Sequence, residues 1–364
     1  MNGFKANSMA TIRDVAEASG VSITTVSFAL NNNLRRVNPE TRLRIMEVAR
    51  KLNYHPNAMA RGLVQKRIHT IGVLITNIES SIVSNPYANA VLSGICAETS
   101  LHQYDIQLHT RKWETAAISA PFFLDRRTDG ILIIAPPIDS DIVSGLDALD
   151  IPIVVVSSPT NVTGIASVDT DNIAGARLAT QHLLSLGHTR IAHLMGDPIQ
   201  HSVFERRDAF LTTMRGAGIT VPEEYITGES FQLESIQDSA RRLFHLPSPP
   251  TAIFTTNDHL AYCVLHAAQD AGISVPGQLS VIGFDDYPES SRTMPALTTI
   301  HHPLWEVGQQ ATRILLSIIA DRSSDISDHR LSPELIVRSS TAPPMNKSND
   351  VALLPIDIRR EMLQ

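Results

Sequence analysis

Six short apolar runs rich in β-branched residues recur along the chain, and this recurrence constrains its fold more than any other feature. The runs lie at 71–76, 131–134, 153–157, 190–194, 251–255 and 279–283. Most are separated by segments with amphipathic helical periodicity, such as 87–101, 172–186, 203–217 and 257–271. This alternation predicts an α/β fold of parallel sheets flanked by helices. About 270 residues of the pattern indicate two such lobes. Because open sheets bind ligands beyond the carboxyl ends of their strands, we expect a ligand site between the lobes.

The segment before the first strand has different signals, those of two short helices joined by a tight turn. A Thr-x-x-Asp capping box at 11–14 opens a helix over Ile12–Ser19. A Gly-Val-Ser turn at 20–22 then leads into a second helix, Ile23–Asn31.

A third helix is predicted to begin at Asn38-Pro39-Glu40 and to run to about Leu52. Its apolar residues near helical spacing are Leu43, Met46, Ala49 and Leu52. Two short helices, a glycine turn and a bracing third helix form a helix-turn-helix. In that motif the second helix enters the major groove of DNA.

Charge is distributed unevenly along the chain. The first 70 residues hold eleven Lys/Arg and four Asp/Glu, a net charge of +7, so the remainder carries −14. A basic head on an acidic body is typical of a protein that binds a polyanion. The charge alone is equally compatible with a solvated basic surface.

Long motifs in a fixed order show that the chain resembles the lactose-repressor/galactose-repressor (LacI/GalR) family of bacterial transcription regulators. They are ATIRDVAEASGVSITTVSFALNN at 10–32, VNPETRLRIMEVARKLNYHPNAMARGL at 37–63, SVDTDNIAGARLATQHLLSLGHTRIAHL at 167–194, PTAIFTTNDHLA at 250–261, ISVPGQLSVIGFDD at 273–286 and PALTTIHHP at 295–303. The resemblance implies a helix-turn-helix head, a hinge helix and a periplasmic-binding-protein-like core of two lobes joined by three crossovers.

These expectations divide the chain into four parts. A DNA-binding domain spans 1–55, a hinge 56–69, an effector-binding and dimerisation core 70–344, and a tail 345–364. Within the core, the N-lobe covers about 70–169 and 300–330, and the C-lobe about 170–299 and 331–344, with crossovers near 169–172, 296–302 and 328–332. Proline in the tail interrupts any heptad, so no coiled coil is predicted there.

The expected DNA-binding residues lie in the head and the hinge: Thr11, Ser22, Ile23, Thr24, Thr25, Ser27, Phe28, Asn31, Asn57, Ala60, Arg61 and Leu63. Relatives usually carry arginine where this chain has Phe28. Phenylalanine cannot make the bidentate contact by which arginine reads guanine, so we expect an operator half-site without that guanine. Residues 56–65 are too short and too weakened by Gly62 to stay helical alone. By resemblance, two hinges pair on DNA and wedge Leu63 between base pairs.

The resemblance also implies an effector site. Asp285 matches a carboxylate that clamps vicinal sugar hydroxyls, and Arg206 matches the arginine of the family's RxxGF helix, with Ala209 in place of the usual glycine. Asn257 matches an effector-side asparagine, and Phe231 a stacking aromatic. The complete expected set is Asn85, Tyr87, Ser157, Phe204, Arg206, Phe231, Asn257 and Asp285. Planar bidentate groups with an aromatic cover suit a sugar. Individually, Arg206 could instead form a surface salt bridge and Phe231 could be a core residue.

Catalytic and metal-binding motifs are scarce. The sequence has no GxSxG, HExxH, Walker loop or CxxC pair. His301-His302 and the His259/His266 pair lack the spacing of metal ligands, and we expect them to be structural histidines with satisfied nitrogens. Cys96 and Cys263 are expected to be buried thiols in a reducing compartment. No cofactor and no metal are predicted.

We therefore expect a sequence-specific transcriptional regulator, most simply a repressor, that is not an enzyme. Its expected partners are a double-stranded, pseudo-palindromic DNA operator, a small polar effector that is most simply a sugar, and a second copy of the chain in a homodimer. The polar N-terminus lacks the apolar core of a secretory signal and no run is long enough to span a membrane, so a cytoplasmic location and no membrane partner are expected. A sugar-binding transport receptor without DNA function is the alternative, and an enzyme built on the same lobes is a third possibility.

Overall fold

The computed structural model describes residues 10–30, 36–55, 67–76, 85–125, 127–228, 232–321 and 327–345, apart from the side chain of Asp321. The chain divides into two compact units, Met1–His69 and Thr70–Gln364. Several predictions fall outside the described residues: those for Asn31, Asn57, Ala60, Arg61, Leu63 and Phe231, the pairing of the hinges, and the part of the tail from 346 onward.

The first unit, the head, contains α1 (Ile12–Ser19), α2 (Ile23–Leu30) and α3 (Pro39–Lys51). The capping box is present: the Thr11 amide donates to Asp14 Oδ2 over 2.7 Å, and the Asp14 amide donates to Thr11 Oγ1 over 3.4 Å. Gly20 ends α1 at φ 66°, in the left-handed region that glycine adopts without steric cost. The predicted helix-turn-helix geometry is confirmed.

The buried face of α3 differs from the apolar residues at near-helical spacing in the sequence. Ile45 and Ala49, one turn apart, pack against α1 and α2, with Ile45 fully buried. Of the residues singled out in the sequence only Ala49 is buried, since Leu43, Met46 and Leu52 remain 70%, 47% and 38% exposed. Leu43 and Met46 are displaced around the helix from the stripe that the short partner helices can cover.

The second unit, the core, alternates strands and helices. In chain order its elements are β1 (Thr70–Ile75), α4 (Pro86–Leu101), β2 (Asp105–His109), α5 (Ala116–Ser119), β3 (Gly130–Ile134), α6 (Ile142–Asp147), β4 (Ile153–Val156), β5 (Ala166–Thr170), α7 (Asn172–Ser185), β6 (Ile191–Leu194), α8 (His201–Gly216), β7 (Ile226–Thr227), α9 (Leu233–Phe244), β8 (Ala252–Thr255), α10 (Asp258–Asp270), β9 (Ser280–Ile282), β10 (Thr299–His301), α11 (Leu304–Asp321), β11 (Asp328–Leu331) and β12 (Glu334–Ile336). The six apolar runs correspond to β1, β3, β4, β6, β8 and β9 to within two residues at each end.

Two parallel sheets organise the core. The N-lobe sheet has the strand order β11-β5-β4-β3-β1-β2, and the C-lobe sheet the order β7-β6-β8-β9. Every residue of β3 and β4 is buried, because helices cover both faces of a parallel sheet and leave no solvated side. The predicted α/β architecture is confirmed.

The chain crosses between the lobes where strands of the two sheets follow each other. β5 lies in the N-lobe sheet and leads into α7, which packs on the C-lobe. β10 pairs antiparallel with β12 beside the C-lobe, whereas α11 and β11 belong to the N-lobe. These crossings bring residues from both lobes to one cleft.

Helices α4 and α11 of the N-lobe touch through their backbones at two glycines. A Cβ built on Gly94 would overlap the carbonyl oxygen of Trp305, and one built on Gly308 would overlap the carbonyl oxygen of Val91. No larger residue fits either position unless the helices separate. The pair therefore packs more closely than helices with side chains at the contact can.

One prediction about the cysteines is wrong. Cys263 is buried on α10, but Cys96 is exposed. α4 buries Ile95 and Thr99, which lie one turn apart, and Cys96 is rotated by about 100° from Ile95 toward solvent. Among the described residues, no helix is both long and apolar enough to cross a membrane.

Candidate functional site

The N-terminus of α2 forms the exposed end of the head. The Thr25 amide donates to Ser22 Oγ over 3.1 Å, which caps the helix. Ser22, Ile23 and Thr24 are exposed, with Ile23 at 42%. Phe28 is only partly exposed: it packs against the head core, and the Arg36 guanidinium carbon lies 5.1 Å from its ring centroid. Of the predicted residues on α2, the capping turn is therefore the most accessible to a groove.

A cavity of about 1070 Å³ lies at the carboxyl ends of the parallel strands, between the two lobes. Ile75 at the end of β1, Thr76 after it, Ala135 after β3 and Ser157 after β4 line it from the N-lobe. Thr256, after β8, lines it from the C-lobe. This is where ligands bind in open α/β sheets, and the volume is at the upper end of small-molecule sites, which are about 300–1,000 Å³.

Six of the eight predicted effector residues line this cavity: Asn85, Tyr87, Ser157, Arg206, Asn257 and Asp285. Phe231 lies outside the described residues. Phe204 is not among the lining residues, and its ring lies 4.8 Å from the guanidinium carbon of Arg207. The reason is helical geometry: Arg206 faces the cavity, and two residues correspond to about 200° around α8, so Phe204 faces the opposite way.

Arg206 is 4% exposed, and hydrogen bonds and an aromatic ring fix the position of its guanidinium. Its Nε and Nη2 donate to Asn172 Oδ1 over 3.0 and 2.8 Å, and Nη1 donates to the Thr256 carbonyl over 2.6 Å. The guanidinium carbon lies 3.5 Å from the ring centroid of Phe284. Burial lowers the pKa of Arg206, while the nearby Asp285 and Asp169 act in the opposite direction. A buried cation is tolerated there because protein acceptors and carboxylates surround it.

Asn172, the first residue of α7, links Arg206 to the N-lobe. Its Nδ2 donates to Asp169 Oδ2 over 3.1 Å and to Glu205 Oε2 over 2.8 Å. Arg330 on β11 lies 3.3 Å from Asp169 Oδ2 and 3.6 Å from Glu205 Oε1. Burial raises the pKa of Asp169 to about 7, against the effect of Arg330. A continuous polar chain therefore joins the cavity to a strand of the N-lobe.

Asp285 follows β9 with φ 135°, and Asp286 has φ 62°. These unusual backbone angles direct the two carboxylates to different partners. Asp286 Oδ1 accepts from Arg338 Nη2 over 2.5 Å, whereas Asp285 Oδ1 lies 3.0 Å from His302 Nδ1 and lines the cavity. Burial raises the pKa of Asp285 to about 6, although Arg206 opposes that rise.

His302 is a cavity residue that sequence analysis missed, and the expectation that it is a satisfied structural histidine is wrong. Its Nδ1 contacts Asp285, but its buried Nε2 has no hydrogen-bond partner among the described residues. His302 lines the cavity, while His301 pairs with Asp286 over 3.1 Å. The sequence signal available for His302 was its position immediately before a proline at a crossover between the lobes. The spacing of metal ligands was the wrong criterion for this residue.

Two further polar atoms of the lining residues are buried without a hydrogen-bond partner in the described part of the chain. They are the hydroxyls of Tyr87 and Ser157. Burial raises the pKa of Tyr87 above its usual range, and a side-chain interaction with Ser157 opposes that rise, so the two hydroxyls lie near each other but outside ordinary hydrogen-bond geometry. Buried polar atoms without protein partners are exceptions that point to a bound molecule.

Among the described residues there is no group of three or more His, Cys, Asp or Glu arranged to hold a metal ion. The lining residues include hydroxyls, amides, carboxylates and basic side chains, four imidazoles (His109, His201, His259 and His302) and the rings of Tyr87, Trp113, Tyr262 and Tyr287. Such a wall is suited to binding a polar small molecule.

Comparison with known proteins identifies both units. A family model described as bacterial regulatory proteins, lacI family, matches residues 11–57, and a periplasmic binding protein-like domain matches residues 180–341. The HTH-type transcriptional repressor PurR of Vibrio cholerae serotype O1 (strain M66-2) is 32% identical over 343 residues, covering 93% of this chain and 100% of that protein.

Solved structures give the same result. The lac repressor dimer bound to operator and the anti-inducer ONPF superposes with a TM-score of 0.81 at 25% identity, covering 92% of this chain and 100% of that one. A complex of the transcriptional regulator CelR with cellobiose gives a TM-score of 0.70 at 25% identity, covering 91% and 99%. These relatives are regulators and not enzymes. The chain belongs to the lacI family of bacterial regulatory proteins, as a DNA-binding transcriptional repressor with an effector-binding domain.

Proposed function

We propose that the effector of this repressor is a neutral sugar that binds in the cavity between the lobes. The observation that carries the proposal is a set of buried polar atoms that belong to residues lining the cavity and have no hydrogen-bond partner among the described residues: the hydroxyls of Tyr87 and Ser157 and Nε2 of His302. A sugar presents several hydroxyls, each of which can donate and accept, so it can satisfy these atoms together.

Charge supports a neutral ligand. The buried charges at the cavity, Arg206, Asp285 and Asp169, already interact with one another or with Arg330. A charged effector would disturb this balance in a buried site, where unpaired charge is costly. The rings of Trp113 and Tyr262 offer apolar faces for the C–H surface of a sugar.

For the DNA-binding head, we propose that two copies of the chain bind the two halves of a pseudo-palindromic operator. The exposed Ser22, Ile23 and Thr24 would meet base edges, with Thr11, Thr25, Ser27 and Phe28 nearby. In the hinge, Asn57, Ala60, Arg61 and Leu63 would complete the contact in the minor groove.

The test is calorimetric titration of the full-length protein with a panel of neutral sugars that includes d-ribose and cellobiose, and in parallel with purine bases, nucleosides and sugar phosphates. We expect saturable binding of a neutral sugar and a change in operator affinity when it is bound. Saturable binding of a base or of a sugar phosphate, with no neutral sugar bound, would overturn the proposal. Light scattering should show a dimer, and a monomer on a single half-site would contradict the operator model.

A further inference from the structure

His302 is fixed in the cavity wall by contacts on two sides of its ring. Its Nδ1 lies 3.0 Å from Asp285 Oδ1, and the ring meets Phe284 edge-on at a centroid distance of 5.6 Å and an interplanar angle of 86°. Tyr87 lies across from it, with the ring centroids 6.4 Å apart. The side chain is 5% exposed. An imidazole held in this way cannot turn to exchange its two nitrogens without losing the Asp285 contact.

The protonation of the ring follows from its neighbours. Burial, with Arg206 and His301 adding to it, holds the pKa of His302 well below its usual range, which favours the neutral ring. A neutral imidazole has one N–H and one bare nitrogen. An ionised Asp285 carboxylate can only accept a hydrogen bond, so beside it Nδ1 carries the proton and Nε2 is the bare acceptor.

We propose that His302 determines specificity in the effector site: its Nε2 accepts a hydrogen bond from a ligand hydroxyl, so the site requires a donor at that position. This inference rests on the proposed function, since it specifies which feature of a sugar the cavity recognises. Arg206 uses Nε, Nη1 and Nη2 within the protein, and Asn257 Oδ1 caps α10 by accepting from the Leu260 amide. His302 therefore offers an acceptor nitrogen, whereas the Arg206 guanidinium has only donors and Asn257 Oδ1 already accepts from a backbone amide.

The proposed contact also selects against other groups. An ether oxygen, a carbonyl oxygen or a fluorine facing Nε2 would place two acceptors together and leave Nε2 unsatisfied. A hydroxyl can donate to Nε2 and still accept from a neighbouring donor such as the Tyr87 hydroxyl. The site should therefore distinguish a sugar from its deoxyfluoro analogue at one ring position.

The first experiment examines the ligand-free full-length protein labelled with ¹⁵N-histidine. Long-range ¹H–¹⁵N spectra at neutral pH should show His302, assigned with His302→Gln, as the Nδ1–H tautomer. The Nε2–H tautomer or a protonated ring would overturn the proposal. This measurement uses the unaltered protein, so it remains valid even if a variant folds poorly.

The second experiment adds the sugar and base panels to the labelled protein and then titrates deoxyfluoro analogues of any sugar that binds. One analogue should bind wild type about 5- to 150-fold more weakly than the parent sugar. In His302→Phe the two should bind with nearly equal affinity, because the discriminating acceptor is gone. His302→Gln, whose amide can turn its oxygen toward the ligand, should retain part of the discrimination.

The control is His301→Gln, since His301 is half-exposed, pairs with Asp286 and does not line the cavity. It should keep the full discrimination. If a sugar binds but no analogue penalty depends on residue 302, His302 is not the specificity residue while the sugar proposal stands. If only a base or nucleoside shifts the Nε2 resonance, the sugar proposal fails and the acceptor role stands. If nothing in the panels shifts it, the role of His302 is wrong.

Discussion

A single oxygen of Asn172 accepts two hydrogen bonds from the buried guanidinium of Arg206, over 3.0 and 2.8 Å. The same side chain donates to Asp169 and Glu205, so one amide fixes both a cation and two carboxylates. Asn172 is 1% exposed.

Asn172→Ala should therefore destabilise the core by about 1–3 kcal/mol, because it leaves buried charged groups without partners. Urea denaturation of the full-length protein measures this. Ile173→Ala, next in sequence and 55% exposed, is the control and should change stability by less than about 0.5 kcal/mol. Equal effects of the two substitutions would mean that the Asn172 contacts do not stabilise the fold.

The backbone contact between α4 and α11 predicts that Gly94→Ala and Gly308→Ala each cost about 1–3 kcal/mol of folding free energy, since a methyl group would overlap a carbonyl of the partner helix. Gly216→Ala, at the exposed end of α8 with nothing near a new Cβ, should be neutral or stabilise by up to about 1 kcal/mol. Denaturation midpoints compare the three variants. If all three behave alike, the close packing of the helices is incorrect.

Asp258 predicts a specific dependence of stability on pH. It accepts from Ser290 Oγ, Thr299 Oγ1 and the Tyr287 amide, and burial together with the nearby Asp285 raises its pKa to about 7. The folded protein then holds a proton that the unfolded chain releases at lower pH. Stability should therefore fall as pH rises from about 4 to about 7, by up to about 1.4 kcal/mol per pH unit from this group.

Asp258→Asn removes the titrating group while keeping its shape, and should reduce that slope. Urea denaturation at a series of pH values provides the comparison with wild type. An identical slope in both proteins would show that Asp258 titrates in the folded state as it does in the unfolded chain.

Tyr87→Phe and Ser157→Ala should weaken effector binding without weakening the fold. Each removes a buried hydroxyl that has no partner in the described residues, so ligand-free stability should be unchanged or slightly higher. Affinity for the effector should fall by about 2- to 12-fold for each hydrogen bond lost. Ser144→Ala, at an exposed residue of α6, is the control for calorimetry and thermal unfolding. Reduced stability with unchanged affinity would assign these hydroxyls a structural role.

Phe28 predicts the base preference of the head. Its ring packs against the head core and under Arg36, so it cannot offer a bidentate contact to guanine. Binding selection on random DNA should return half-sites without the guanine that arginine selects in relatives, and Phe28→Arg should restore it. Recovery of the guanine by the wild-type protein would contradict this role.

The affinity of the protein for operator DNA should also fall steeply between about 50 and 200 mM salt.

Local signals in the sequence were enough to predict much of this fold. Caps at Thr11 and Asn38 and the β-branched runs of β3 and β4 depend on neighbouring residues alone, and they placed elements to within a residue or two. The buried face of α3 was not predictable in the same way, because Leu43 and Ile45 are equally apolar and only the position of α1 and α2 decides between them.

The candidate site likewise contains residues that the sequence could predict and residues that it could not. Asp285 and Arg206 can be found because they lie in recognisable motifs. Phe204, expected in the effector site, does not line the cavity, and the criterion of metal binding does not detect His302. What makes His302 distinctive is that one nitrogen is used by Asp285 and the other is not. That fact depends on residues seventeen positions apart meeting at a crossover, and no local pattern encodes it.

The close contact of α4 and α11 at Gly94 and Gly308 also affects how a displacement at the cavity is transmitted through the N-lobe. α4 begins directly after Asn85 on the cavity wall, and α11 begins two residues after His302. Because the two helices touch backbone to backbone, neither can slide or turn against the other without a clash. We therefore expect a ligand that displaces Tyr87 or His302 to move both helices together as one rigid pair. Any movement then reaches their far ends with little lost to bending along the way.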